Sequence, residues 1–283
     1  LTIPEAVVAH DGVTIALRHH LGETPGLLLA HATGFCKECW EPVTATGDLS
    51  GRAWISFDQR AHGGSGVPAL PFDWWDGGRD VLAMVDRSGW ERCVGVGHSS
   101  GGAALALAEI LRPGTFAALV LIEPILLPGP ARRRDDEPLA AQAERRRSVF
   151  PSPEAARAAF HRRGPFARWV DEALDAYVRG GLRREGDVWL LRCAPEHEAE
   201  HYRVAWAAGA WERLAEVRCP VIVAGGSNSA SHPQAFLEEL ASRFPRSRLE
   251  ILDGATHFAP MEVPGDVAAL VVEASAGLET GGR

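Results

Sequence analysis

Gly97-His98-Ser99-Ser100-Gly101 sets a serine between two glycines, after the apolar run Cys93-Val94-Gly95-Val96 and before an alanine-rich stretch. A serine where a strand hands over to a helix projects its hydroxyl from a tight bend into the crevice beyond the strand ends. The flanking glycines leave room for that bend because they carry no side chain. The helix that follows points free N–H groups at the same spot, which suits a developing negative charge. The pattern is G-x-S-x-G, and its chemistry is nucleophilic attack by Ser99. The bland alternative is a Gly-rich turn with a solvated serine.

A serine hydroxyl is a poor nucleophile until a base takes its proton. Of the eleven histidines, His257 in GATHFAPMEVP is the candidate base. It follows the last predicted strand, on a loop able to reach back over the sheet edge. His98 lies inside the bend and reads as a packing residue. His10, His19 and His20 fall in an N-terminal hairpin at the wrong edge. His31 and His62 close strands and read as ordering loops near the site. A rival chemistry is offered by His197-Glu198-Ala199-Glu200-His201. On a helix, histidines at i and i+4 share a face and could hold zinc, with Glu198 as general base. No third ligand is recognisable downstream, so a polar helix is the preferred reading and no metal is expected. Cys36 and Cys39 form a C-x-x-C without a second pair or a thioredoxin-like setting, and read as ordinary thiols.

The elements that must position these groups follow from periodicity. The turn Asp11-Gly12 between VVAH and VTIALRHH predicts a hairpin. Continuous apolar runs over residues 26–32, 53–58, 93–99, 117–124, 219–226 and 248–254 predict strands buried on both faces. Helical spacing marks residues 73–88, 100–112, 233–243 and 266–276. The alternation predicts an α/β fold, a mostly parallel eight-stranded sheet with helices on both faces. From about Leu126 to about Trp211 the alternation stops, composition shifts to Arg, Glu and Ala, and only VWLLRC (188–193) reads as a strand. Three parts are therefore expected: a first core part over 1–125, a helical lid insertion over 126–211 and a second core part over 212–283. The tail AGLETGGR is expected to be loose.

Bulk properties narrow the partners. A net charge of −8 over 283 residues argues against broad nucleic-acid binding. The arginines at 132–134 and 145–147 are read as a solvated helix face, with an anion site as the alternative. No apolar run approaches the ~18 residues a membrane span needs. No signal-peptide pattern opens the chain, which begins at Leu1 rather than Met. Five cysteines, an odd and low number, favour a reducing compartment, and a cytoplasmic location is expected.

With these motifs in hand, the chain resembles the α/β-hydrolase superfamily over nearly its whole length outside the lid. HATGF (31–35) is similar to the family's oxyanion motif, with Ala32 where glycine is commoner and Trp40 at a usual spacing. DQRAHGGS (58–65) resembles the D-x-R-G-x-G-x-S loop. GHSSGG resembles the nucleophile elbow, and GATHFAPMEVP, with Glu262 and Pro264, the histidine loop. The likeness is greatest to the lid-bearing serine esterase and lactonase branch. Dehalogenases and epoxide hydrolases use an aspartate where Ser99 stands; serine iminopeptidases share the fold. The resemblance implies Ser99 as nucleophile, His257 as base, and an oxyanion hole from the backbone N–H groups of Ser100 and Thr33, with Phe35 as the substitute for Thr33. It implies no cofactor.

One part of the family pattern is missing. The usual acid stands in a G-x-x-D after the penultimate strand, and this chain reads Gly225-Gly226-Ser227-Asn228. A neutral amide cannot stabilise the imidazolium that forms when Ser99 is deprotonated, and such a replacement can cost ~10⁴ in rate. Glu123, at the end of the strand after the nucleophile helix, occupies the place where some members of the superfamily carry their acid. Parallel strand ends open on one crevice, so Glu123 and His257 can meet there. Asp253 is a weaker contender, too local to His257. The expected function is hydrolysis of an ester or lactone of a small to medium, largely apolar molecule through an acyl-enzyme. The alternatives are an amide or iminopeptidase-type hydrolase and a non-catalytic ligand binder. Trp169, Trp189, Trp206, Trp211, Phe160 and Phe166 suggest either a partly aromatic cavity or lid packing, with packing preferred.

Overall fold

A computed structural model of the chain describes residues 5–279. The first half runs β1 (Ala6–Val8), β2 (Thr14–His20), β3 (Glu23–Ala30), α1 (Glu41–Thr44), β4 (Arg52–Phe57) and α2 (Trp74–Ser88). Then come β5 (Cys93–His98), α3 (Ser100–Leu111) and β6 (Phe116–Ile122). An insertion follows: α4 (Pro138–Arg145), β7 (Val149–Phe150), α5 (Pro153–Phe160), α6 (Asp171–Gly181), β8 (Leu182–Glu185), β9 (Val188–Leu191) and α7 (Pro195–Arg203). The chain returns to the sheet with β10 (Val221–Gly226), α8 (Gln234–Ser242), β11 (Ser247–Leu252), α9 (Ala259–Glu262) and α10 (Pro264–Glu279). Among the described residues no helix is long and apolar enough to cross a membrane.

The main sheet has eight strands in the order β1-β2-β4-β3-β5-β6-β10-β11. The pairs β1·β2 and β2·β4 are antiparallel; every pair from β4 to β11 is parallel. Every residue of β5, β6 and β10 is buried, which is why their sequences are apolar without alternation. Alternation persists in where the side chains go. Leu28, Leu119, Leu121, Val221 and Val223 join one core layer, with α2 and α3. Leu27, Leu29, Val120, Ile122, Ile222 and Ala224 join the other, with α10.

Two expectations need correction. The insertion is not wholly helical: β7, β9 and β8 form a three-stranded antiparallel sheet. Its strands are two to four residues long, too short for alternation to register. Leu182-Arg183-Arg184-Glu185 also carries charge where a strand usually carries apolar residues. The two-residue turn Gly186-Asp187 was the available sign, since Gly186 adopts φ +59° and glycine suits the first position of such a turn. The tail expected to be loose over 276–283 is helical through Glu279; residues 280–283 lie outside the described residues.

A third apolar cluster joins the insertion to the sheet edge. Phe150, Phe160, Phe166, Trp169 and Tyr177 pack with Phe35 and Met261 from the core, and Trp189 leans on them. Trp206 and Trp211 do not belong to it; both pack on the sheet core. The six aromatic residues thus serve as packing in two separate places.

The junction between β5 and α3 leaves no room for a side chain at either flanking glycine. A Cβ on Gly101 would lie 2.2 Å from the Ala30 carbonyl oxygen, and one on Gly97 2.6 Å from the Gly102 Cα. Gly101→Ala should therefore cost about 1–3 kcal/mol or more. Gly47→Ala, where nothing lies within 4 Å of the new methyl, should stay within about 0.5 kcal/mol of the parent. Denaturant midpoints of the two variants check this, and equal midpoints would contradict it.

Candidate active site

Ser99 sits in that bend at φ 55°, ψ −119°, a backbone region a non-glycine residue rarely holds without support. Support comes from three backbone hydrogen bonds. Ser99 N–H donates to Ile122 O at 2.9 Å, and its carbonyl accepts from Ala103 N at 3.2 Å and Ile125 N at 3.1 Å. The last two tie the serine to α3 and to the segment leaving β6, so Ser99 and the β6 terminus are held as one unit.

Glu123 is the next residue on that terminus. Its side chain is fully buried, and its backbone too is left-handed, at φ 43°. Oε1 accepts from Gly226 N at 2.9 Å. Oε2 lies 2.6 Å from His257 Nδ1, 2.8 Å from Ser229 Oγ, 3.2 Å from Ser231 Oγ and 3.2 Å from His232 Nδ1. Burial alone would raise this carboxyl. Hydrogen bonds from His232 and His257, with the attraction of both rings, outweigh burial and hold it well below the usual carboxylate range. The other acid candidates are elsewhere. Asn228 donates through Nδ2 to Gly254 O at 3.1 Å, and Asp253 accepts from Ser227 Oγ at 3.3 Å; both are exposed.

The His257 loop is fixed from two sides. His98 Nε2–H donates to the His257 carbonyl at 2.8 Å, and Glu262 accepts from Thr256 N and Thr256 Oγ1, each at 2.7 Å. His98 is thus a backbone support inside the elbow. With Nδ1 against Glu123, His257 keeps Nε2 as the nitrogen available for a proton. Among the described residues no hydrogen bond joins it to Ser99 Oγ; such bonds often close only around a substrate. The His232 ring stacks on His257, with centroids 5.5 Å apart and planes at 21°.

Two further histidines shape the HATGF loop. His62 donates from Nδ1 to Arg60 O at 2.9 Å and accepts the Gly34 N–H on Nε2 at 2.8 Å. His31 donates from Nδ1 to Ala32 O at 2.7 Å and accepts Gln59 N–H on Nε2 at 3.0 Å. Gln59 Nε2 also donates to Ser100 Oγ at 3.0 Å. Lys37 closes the far side, donating from its backbone N and from Nζ to the buried Asp58 carboxylate at 2.8 and 2.7 Å. The Phe35 N–H is taken by Ala32 O at 3.2 Å. Among the described residues, the N–H groups of Thr33 and Ser100 have no such partner. The insertion reaches this loop through Tyr177, whose hydroxyl donates to Gly34 O at 3.3 Å and accepts from Arg146 at 3.0 Å.

The H-E-x-x-H segment lies on α7, but its groups are spent on packing. Glu198 pairs with Arg146 and Glu200 with Arg133. His201 is buried against the His62 ring at 4.9 Å and Phe72 at 4.8 Å. Among the described residues, side chains placed to share a metal ion are Glu123, His232 and His257, and separately His10, Asp11 and Asp76. All five cysteines are free and buried, with Cys36 and Cys39 Sγ atoms 4.0 Å apart. Sequence reasoning missed Ser229, Ser231 and the buried His232, which stand on the loop after β10 with no motif to mark them. It also missed Lys37.

Comparison with known proteins adds to this geometry. The model of the alpha/beta hydrolase family matches residues 27–270. Peroxisomal membrane protein LPX1 of Saccharomyces cerevisiae is 31% identical over 142 residues, 42% of this chain and 36% of its own. Its crystal structure, a peroxisomal alpha-beta-hydrolase, superposes with a TM-score of 0.78 at 20% identity, covering 97% of this chain and 85% of that one. Type I acyl-CoA thioesterase mpaH of Penicillium roqueforti is 29% identical over 181 residues, 56% of this chain and 41% of its own. The matched stretches thus span well under half the length of these curated relatives. The enol-lactonase from Burkholderia xenovorans has a TM-score of 0.71 at 20% identity, covering 95% of this chain and 98% of that one.

The buried rings make a stability prediction. His31, His62 and His98 are held neutral, each lowered from 6.5 to about 3 chiefly by burial. The unfolded chain takes up these protons first, so stability falls as pH drops from about 6.5 toward about 3. The slope is up to about 1.4 kcal/mol per pH unit for each ring. Denaturant unfolding at pH 7, 6 and 5 should show a steep loss, with a shallower slope in His62→Gln. A flat profile over that range would contradict the neutral-ring account.

Proposed function

The chain belongs to the alpha/beta hydrolase family, and on that premise we propose that it is a serine hydrolase cleaving an ester or lactone through an acyl-enzyme. The observation that carries the reading is the 2.6 Å contact between Glu123 Oε2 and His257 Nδ1, beside a serine held in a strained bend. Ser99 Oγ attacks the carbonyl carbon while His257 Nε2 takes its proton. The Glu123 carboxylate keeps the ring oriented and stabilises the imidazolium that results. The N–H groups of Thr33 and Ser100 receive the oxyanion; preorganised donors of this kind are typically worth about 3 kcal/mol each in the transition state. His257 returns the proton to the leaving alcohol, or to the ring-opened alkoxide of a lactone. Water, deprotonated by the same ring, then releases the acid.

Residues 126–211 act as a lid over the site, and the substrate class proposed is small to medium and largely apolar. Thr33 is preferred over Phe35 in the oxyanion role because the Phe35 N–H is already engaged. A second reading, hydrolysis of an acyl thioester, is favoured by the relative named an acyl-CoA thioesterase; the acylation chemistry would be unchanged and only the leaving group would differ. Five free thiols suit the reducing cytoplasm.

A panel of p-nitrophenyl esters, lactones, acyl-CoA thioesters and amino-acid p-nitroanilides, with a serine-directed fluorophosphonate, tests this. Ser99→Ala should abolish turnover and labelling. Glu123→Gln should lower kcat by about 10²- to 10⁴-fold, while Asn228→Ala should change it less than about threefold. Loss of activity in Asn228→Ala with Glu123→Gln unaffected would overturn the acid assignment. Failure of the wild type to label would turn the reading toward a ligand binder.

A further inference from the structure

The surroundings of Glu123 Oε2 contain more donors than that oxygen can serve. Four groups lie within hydrogen-bonding distance: His257 Nδ1, Ser229 Oγ, Ser231 Oγ and His232 Nδ1. A carboxylate oxygen offers about two lone-pair sites. The His232 tautomer sharpens the imbalance. Its Nε2 lies 3.3 Å from the Pro124 carbonyl oxygen, which can only accept, so Nε2 carries a proton. Nδ1 then faces a carboxylate oxygen 3.2 Å away, and a second ring proton, as in the hydrogen bond given above, or a metal ion in its place joins the two.

We propose that Glu123, His232 and His257 bind a divalent transition-metal ion of the zinc class, and that its binding shuts off the base. The three ligand atoms lie within 4.8 Å of one another. Ligands about 2.0–2.1 Å from a tetrahedral zinc ion stand about 3.3 Å from each other. Ser231 Oγ is 3.2 Å from Glu123 Oε2, from His257 Nδ1 and from His232 Nδ1, and Glu123 Oε2 is 3.2 Å from His232 Nδ1. The 2.6 Å contact between Glu123 and His257 must open, which a turn of the imidazole provides. His232 has the outer support usual for a ligating histidine, its second ring N–H donated to a backbone carbonyl. Asn228, Ala230, Ser231 and Pro233 are exposed, so an ion can arrive from the solvent side of this loop.

Binding there has a definite chemical effect. A metal on His257 Nδ1 displaces the proton from that nitrogen and leaves Nε2 as N–H. The nitrogen that must accept the serine proton is then filled, and the Glu123 charge is spent on the ion. This inhibition rests on the reading of His257 as the base; metal binding does not.

Zinc binding is measured by isothermal titration on the whole metal-stripped protein, with the visible spectrum of added Co²⁺ as a second readout. One ion per chain is expected in the wild type and in Ser99→Ala, with an intense, low-symmetry cobalt spectrum. His232→Gln and His257→Gln should each weaken binding at least 10-fold. His10→Ala, which strips the other candidate cluster, should leave it unchanged. Inhibition of wild-type ester hydrolysis should follow the same titration and reverse with a chelator. Equal affinity in wild type, His232→Gln and His257→Gln, or loss of the ion in His10→Ala, overturns the site. An inactive wild type that still binds zinc through His232 overturns the hydrolase reading and leaves the metal site standing.

Discussion

A carboxylate with no solvent exposure, held charged beside an imidazole, is the constraint around which this structure is arranged. Burying such a charge is costly unless hydrogen bonds replace the lost water. Here the replacements are five groups: a backbone N–H at the end of β10, two serine hydroxyls, and the rings of His232 and His257. The donors sit on three different stretches of chain, so the carboxylate gathers β6, the loop after β10 and the loop after β11 to one point. Removing any one loop would leave an uncompensated charge in the interior. The same contact that orients the His257 ring therefore also fastens the sheet edge where that ring resides.

Around that charge the protein uses uncharged rings as rigid supports. His31, His62 and His98 each accept or donate at fixed backbone atoms, and each is fixed in one tautomer by a carbonyl that can only accept. They set the path of the HATGF segment and of the His257 loop more firmly than flexible aliphatic packing could. Their neutrality is a consequence of burial. Tyr177 and Arg146 extend the same network into the insertion, so the element over the site and the loop beneath it share one set of hydrogen bonds.

The legible parts of the chain were those where one physical demand dominates. Strands buried on both faces must be continuously apolar, and residues 93–99 and 117–124 could be read for that reason. The elbow was readable because Gly97 and Gly101 are the only residue type that fits there. The contact between Glu123 and His257 was legible by asking which strand ends share a crevice, since Asn228 stands in the place of the usual carboxylate. What escaped was set by proximity alone. His232 and Ser231 meet Glu123 across 109 and 108 positions of sequence, in a loop of Ser, Asn and Ala with no periodicity. The small sheet in the insertion escaped because strands of two to four residues carry too little pattern. Trp206 and Trp211 resembled pocket residues in composition but serve the sheet core.

The order of the key groups along the chain has its own consequence. Ser99 and Glu123 both precede the insertion, whereas His257 follows it. During synthesis on the ribosome, the bend and the acid emerge together and can fold against each other while the insertion is still being made. His257 arrives only after that whole segment has cleared. A nascent chain interrupted anywhere in the insertion therefore carries Ser99 and Glu123 without His257, the ring whose Nδ1 lies 2.6 Å from that carboxylate in the finished fold.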